Sequence, residues 1–139
     1  YHSIGWDGHF PQDQTMTEQF VIPDALPEWL SEEDLNFYVQ EHSASCFTGG
    51  FNWYRNIKRL PGIVAPFIGK TIDQPSLYMY GEHDLIAGNT ADAIESMRTG
   101  QTGLTDLRGC VEFLGAGHWL QQERAEGVNA ELVKFLQSL

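Results

Sequence analysis

The spacing of apolar residues predicts two helices between residues 31 and 60. Ser31 and Asp34 have the spacing of a capping box, which indicates a helix that begins after Ser31. The glycine pair at 49–50 is expected to end this helix, and residues 51–59 are expected to form a second one that Pro61 stops. Three prolines before residue 30 predict an irregular N-terminal segment. One face of the first helix carries the following residues: Leu35, Tyr38, Val39 and His42.

From residue 75 onward, short apolar runs alternate with helical patterns. Residues 66–74 and 100–109 are expected to be connecting loops, and the runs at 76–80 and 110–114 predict strands that are covered on both faces. Helices are expected at 89–97 and 123–139. Strands separated by helices predict a parallel sheet with right-handed crossovers. The last helix carries an apolar stripe made of these residues: Val128, Leu132, Phe135, Leu136 and Leu139.

Two parallel strands by themselves leave unpaired backbone groups along both outer edges. We therefore expect further strands to come from an N-terminal half that is missing here, from a partner chain, or from homo-oligomerisation. The chain begins without Met.

Each predicted strand ends in a tight loop that contains ionisable side chains. The first loop reads Gly-Glu-His-Asp and ends at Asp84, and the second reads Gly-Ala-Gly-His-Trp and contains His118. Gly115 and Gly117 allow the second loop to turn sharply and present the imidazole. Both loops lie at the carboxyl ends of parallel strands, where open α/β sheets place their sites. An Asp and a later His in these positions follow the chain order of the acid and base in α/β-hydrolase triads.

The chemistry of these two side chains suits a proton-transfer pair. His118 can take a proton from water as a general base, and Asp84 can hold the imidazole in one tautomer. The alternative is that Asp84 is only a turn residue that bonds its own backbone. By their position, Glu82 and His83 are rivals of Asp84 for the role of partner to His118. Alternation along an extended segment would place Glu82 and Asp84 on one side and His83 on the other. No nucleophile on an elbow precedes Asp84, so we expect this chain not to complete the chemistry alone.

Composition excludes several classes of function. The chain has 139 residues and a formal net charge of −11, from 19 acidic and 8 basic residues. This charge argues against binding to nucleic acid and to anionic membranes. Cys46 and Cys110 are far apart and lack CxxC spacing, which favours reduced thiols and, weakly, a cytoplasmic location. The histidines and cysteines show no metal-binding spacing, and we expect no metal and no cofactor.

Three segments resemble the C-terminal half of an epoxide hydrolase of the α/β-hydrolase fold. They lie at 26–60, 74–86 and 109–139, and the piece Gly-Gly-Phe-Asn-Trp-Tyr-Arg-Asn at 49–56 is the most specific. The resemblance implies an α/β fold in which residues 1–62 are part of a helical cap (lid) domain. Residues 63–139 would be the C-terminal part of the core, with its last parallel strands and helices.

The resemblance also implies roles for individual residues. Tyr54 would be one of the two cap tyrosines that hold the epoxide oxygen, with Asp84 as the acid and His118 as the base. The nucleophilic Asp would come from the missing half or a partner chain and form an alkyl-enzyme ester, which water then hydrolyses to a vicinal diol. The aromatic cap suggests a small apolar epoxide. Substrate-binding walls are expected from these residues: Phe51, Trp53 and Trp119.

Two other functions are also compatible with the sequence. A haloalkane or haloacid dehalogenase of the same fold would release a halide that needs no proton, so it would rely on N–H donors such as Trp53 rather than on Tyr54. An inactive, truncated remnant that only binds a small molecule is the other alternative.

Overall fold

The computed structural model describes residues 13–15, 18, 23–101 and 103–139, which fall into two compact units. One unit is Pro23–Lys70, and the other contains Thr71–Leu139. The boundary after Lys70 lies a few residues beyond the one expected from the sequence, and the identity of the units as cap and core stays a prediction. The prediction of an irregular segment over residues 1–30 falls largely on residues outside the described ranges.

The unit Pro23–Lys70 is helical. Its first helix begins at the predicted capping box, in which the Ser31 hydroxyl accepts from the Asp34 N–H at 3.1 Å. None of the residues in its three α-helices is buried. Two 3-10 turns, Ile57–Arg59 and Ala65–Phe67, lie between and after the later helices. The helices are α1 (Glu32–Ser45), α2 (Thr48–Arg55) and α3 (Leu60–Val64).

Two predicted breaks in this unit are wrong. Gly49 and Gly50 lie inside α2, and helix α1 ends instead at Cys46, whose backbone takes a positive φ of 58°. Pro61 lies in the first turn of α3 rather than ending a helix. The first turn tolerates proline because its N–H would have no partner within the helix.

The unit Thr71–Leu139 contains a parallel two-stranded sheet, as predicted. Tyr78 pairs with Cys110 and Tyr80 with Glu112 along the two strands. The elements of this unit in chain order are β1 (Ser76–Gly81), α4 (Leu85–Asn89), α5 (Ala91–Arg98), β2 (Leu107–Phe113), α6 (Leu120–Glu123) and α7 (Ala125–Gln137).

Three element boundaries differ from the prediction. Strand β2 begins at Leu107 rather than at residue 110, because the polar side chain of Arg108 finds partners in Asp106 and in the Ser138 carbonyl. The helix expected at 89–97 is two short helices that meet at Thr90. The last helix starts at Ala125, after Arg124 leaves helical geometry with φ −137° and ψ 43°.

Apolar side chains of the sheet pack on both of its faces. Tyr80 joins Ala87 and Ile94 in one cluster, with Tyr78 packed against it. Ala116, Leu120 and Val128 form the second cluster, against which Met79 and Phe113 pack. Alternation of Tyr78, Met79 and Tyr80 between the clusters follows from the two-residue period of a strand. The apolar stripe predicted for the last helix is only partly covered: Val128 is buried, Leu132 and Leu136 on α7 are exposed, and Leu139 is exposed beyond the end of α7.

Within the described part of the chain, no helix combines the length and the apolar character that crossing a membrane requires.

Candidate active site

The loops after β1 and β2 are joined by their backbones. The N–H of Glu82 donates to the Phe113 carbonyl at 3.1 Å, and the N–H of His83 donates to the Ala116 carbonyl at 2.8 Å. Gly81, the last residue of β1, permits this contact. A Cβ atom there would overlap the carbonyl groups of Ala116 and Gly117. The loop that carries Asp84 and the loop that carries His118 are thus held together by main-chain bonds at the carboxyl end of the sheet.

This contact brings His118 and Asp84 together. The imidazole Nδ1 lies 3.0 Å from Asp84 Oδ1. The Asp84 side chain is only 15% exposed, whereas that of His118 is 51% exposed. In a neutral imidazole whose Nδ1–H donates to a carboxylate, Nε2 keeps its lone pair. A histidine in that tautomer can accept a proton at Nε2.

The carboxylate of Asp84 also serves the backbone. Its Oδ1 accepts from the Ile86 N–H at 2.8 Å and caps the N-terminus of α4. The turn role and the contact with the histidine, which were alternatives from the sequence, are therefore made by the same oxygen atom. This capping bond holds the Asp84 side chain in place independently of its contact with His118.

The neighbours of Asp84 have different partners. Glu82 Oε2 accepts from the Gly115 N–H at 2.9 Å, and it lies 3.8 Å from His83 Nε2. Gly115 has a φ of +67°, which is the sharp turn predicted for the loop. Asp84 thus contacts His118, while Glu82 braces the loop in front of it.

The surroundings of the pair disfavour additional negative charge. The pKa of Tyr78 is raised above its ordinary value, mainly by burial and secondly by the negative charge of Asp84. Burial also raises the pKa of Tyr80, whose hydroxyl accepts from Arg98 Nη2 at 2.6 Å. Both phenols are therefore protonated at neutral pH.

The other residues predicted for the site lie at two places. Trp119 is next to His118, with the two rings edge to face and 5.4 Å between their centres. Phe51, Trp53 and Tyr54 lie on α2 in the helical unit, with exposures of 47%, 74% and 68%. The structure thus groups Asp84, His118 and Trp119, and the roles of the α2 residues remain predictions.

Sequence reasoning missed Glu123 and Arg124. Glu123 accepts from the N–H groups of Gly117 and Trp119, on both sides of His118. Arg124 donates to the Gly115 carbonyl at 3.1 Å. The only signal in the sequence is an acidic residue four positions after Trp119, where a side chain can reach back to the start of a helix. Among the described residues, no group of three or more His, Cys, Asp or Glu side chains is arranged to hold a metal ion.

Known proteins with similar sequences are epoxide hydrolases. Epoxide hydrolase A of Mycobacterium tuberculosis is 42% identical over 131 residues, which are 93% of this chain and 38% of that protein. Epoxide hydrolase 1 of Siraitia grosvenorii is 32% identical over 84% of this chain and 37% of its own length. This chain is homologous to epoxide hydrolases. No family model matches it.

Solved structures of similar fold are also epoxide hydrolases. An epoxide hydrolase from an endophytic Streptomyces is 35% identical, with a TM-score of 0.84 over 91% of this chain and 37% of that one. Epoxide hydrolase A of Mycobacterium thermoresistibile is 36% identical, with a TM-score of 0.80. The predicted fold class, the C-terminal portion of an α/β-hydrolase fold preceded by a helical segment, is confirmed. The chain spans less than two fifths of the length of these relatives.

Proposed function

We propose that this chain contributes the acid and base of an enzyme that hydrolyses small apolar epoxides to vicinal diols. The observation that carries the proposal is the 3.0 Å contact between His118 Nδ1 and Asp84 Oδ1. The homologues named epoxide hydrolases support the choice of substrate. The reaction also needs a nucleophilic Asp and a second cap tyrosine. In this proposal, both come from an N-terminal half or a partner chain.

The proposed reaction has two steps. In the first, a carboxylate oxygen of that Asp attacks one epoxide carbon, a C–O ester bond forms, and the ring C–O bond breaks. The phenol of Tyr54 gives its proton to the oxygen that leaves the carbon. In the second step, water attacks the ester carbonyl and gives a proton to His118 Nε2. The ester C–O bond breaks; of the two protons that water brought, one goes to the departing diol oxygen and the other returns Tyr54 to its phenol form, so that the carboxylate and neutral His118 are restored.

The two units have separate parts in this proposal. Residues 1–62 are assigned to the helical cap and residues 63–139 to the core. Phe51 and Trp53 on α2, and Trp119 beside His118, would contact the substrate. The exposed aromatic rings of α2 support a contact with an apolar substrate. The cytoplasmic location remains a prediction that rests on the two widely separated cysteines.

His118→Gln in the full-length protein tests the step assigned to the histidine. Glutamine cannot take the proton from water, whereas formation of the ester does not require the base. We expect the variant to accumulate an intermediate whose mass exceeds that of the protein by one epoxide molecule. Intact-protein mass spectrometry after mixing with styrene oxide measures this. Diol turnover at the wild-type rate would refute the assignment.

Tyr54→Phe tests the choice between epoxide and halide chemistry. Loss of one donor to a developing oxyanion costs on the order of 10² to 10³ in turnover, so we expect a loss of that size with styrene oxide. Tyr38→Phe is the matched control because it removes a phenol from the same helical unit. Full epoxide turnover in Tyr54→Phe, together with halide release from a haloalkane, would replace the proposal with a dehalogenase.

A further inference from the structure

One carboxylate holds the loop on both sides of His118. The Gly117 N–H donates to Glu123 Oε2 at 2.6 Å, and the Trp119 N–H donates to Glu123 Oε1 at 3.0 Å. Each oxygen atom therefore binds one of the two peptide groups that flank the histidine. Hydrogen bonds from N–H groups to an ionised acceptor are about twice as strong as neutral ones. These two bonds fix the loop directly before and directly after His118.

Glu123 is itself held in place by the short helix α6. Its N–H donates to the Trp119 carbonyl at 2.9 Å, and Leu120, at the other end of α6, is buried in the cluster with Ala116. The carboxylate therefore reaches the loop from an anchored backbone. Gly117 leaves room for it, because a Cβ atom there would lie 3.1 Å from Glu123 Oε1.

We propose that Glu123 is a positioning residue for His118. Its carboxylate holds the loop so that the imidazole Nδ1 faces Asp84 and Nε2 is left for water. The proposal rests on the proposed role of His118 as a base, and it adds a residue that does not touch the substrate. If Glu123 only capped the helix, its removal would lower the stability of the protein and leave the tautomer of His118 unchanged. The tautomer of His118 therefore distinguishes the two roles.

Glu123→Gln is the test in the full-length protein. Glutamine keeps the size of the side chain, but it offers an NH₂ group to one of the two loop N–H groups. Loss of that bond corresponds to about tenfold faster exchange of the amide, Gly117 or Trp119, that loses its acceptor. The ¹⁵N signals of the His118 ring, assigned through His118→Gln, report the tautomer. We expect a single Nδ1–H form in the wild type and a mixture of forms in Glu123→Gln.

Glu126→Gln is the matched control, because it makes the same change of charge at an exposed residue in the first turn of the next helix. It should leave both the tautomer and the exchange rates as in the wild type. Gly117→Ala is the second variant, in case Glu123→Gln does not fold. It displaces the carboxylate by a few tenths of an ångström without removing it, so it should change the tautomer mixture in the same direction and by less.

The outcomes separate the two proposals. A wild-type His118 without Nδ1–H would refute the acid–base pair and the proposed function, whatever Glu123 does. A wild-type Nδ1–H form that persists in Glu123→Gln and Gly117→Ala, while the melting temperature falls, would show that Glu123 only caps α6. That result would overturn the positioning role and leave the proposed function standing.

Discussion

Replacement of Asp84 by Asn and by Ala separates the helix cap from the histidine contact, which the same oxygen atom makes. Asp84 Oδ1 accepts from the Ile86 N–H at 2.8 Å and from His118 Nδ1 at 3.0 Å. Asn is as good an N-cap as Asp, so Asp84→Asn should keep the start of α4. It exchanges a charged acceptor for a neutral amide, which no longer restricts the imidazole to the Nδ1–H form. Ala removes both interactions.

The expected magnitudes follow from these contacts. Loss of the cap costs about 1 kcal/mol, and loss of the histidine contact costs about 1 kcal/mol, since His118 is half exposed. We therefore expect the free energy of unfolding to fall by about 1 kcal/mol in Asp84→Asn and by about 2 kcal/mol in Asp84→Ala, with the melting temperature falling in the same order.

Activity, in contrast, should fall by a similar factor in both variants. The corresponding Asn substitution in a serine protease triad reduces turnover by about 10⁴ because the histidine takes the wrong tautomer, and both Asp84 variants should lose diol formation on that order. Thermal melting, imidazole ¹⁵N spectra and diol turnover measure the three effects. Asp92→Asn is the control, since it makes the same change of charge in the first turn of α5. Equal melting temperatures for Asn and Ala would refute the capping argument, and wild-type turnover in Asp84→Asn would refute the role of the acid.

Three further predictions concern the framework around the site. Gly81→Ala should lower the free energy of unfolding by about 1–3 kcal/mol in denaturant titrations, because its Cβ would push against the loop at Gly117; no change would refute the close contact. The pKa of Tyr80 is raised by burial, so the folded state keeps its proton longer than the unfolded state does, and stability should fall as pH rises above about 10. Alkaline melting of Tyr80→Phe should show a smaller fall, and an identical pH dependence would contradict this reasoning. Ser31→Ala should cost about 1 kcal/mol through loss of the α1 cap, measured by circular dichroism during unfolding, whereas Ser43→Ala on the exposed surface of α1 should cost less.

Local chemistry in the sequence was sufficient for the parallel strands and for the start of α1. The runs at 76–80 and 110–114 are short, apolar and bounded by loops, and the capping box needs only residues that lie within one helical turn. The order of an Asp loop and a later His loop likewise placed Asp84 and His118 at one edge of the sheet. The same local rules failed at Gly49 and Pro61, because a glycine lowers helix stability only modestly and a proline is excluded only beyond the first turn.

Only the tertiary structure decided which acid meets the histidine and what holds the histidine loop. Asp84 and Glu82 are equivalent by spacing, and the main-chain bonds between the two loops direct one to His118 and the other to Gly115. Glu123 could not be found from a motif, because its partners are backbone N–H groups that every residue carries. Contacts between a side chain and distant main-chain atoms depend on how the loops fold, and residue type alone does not encode them.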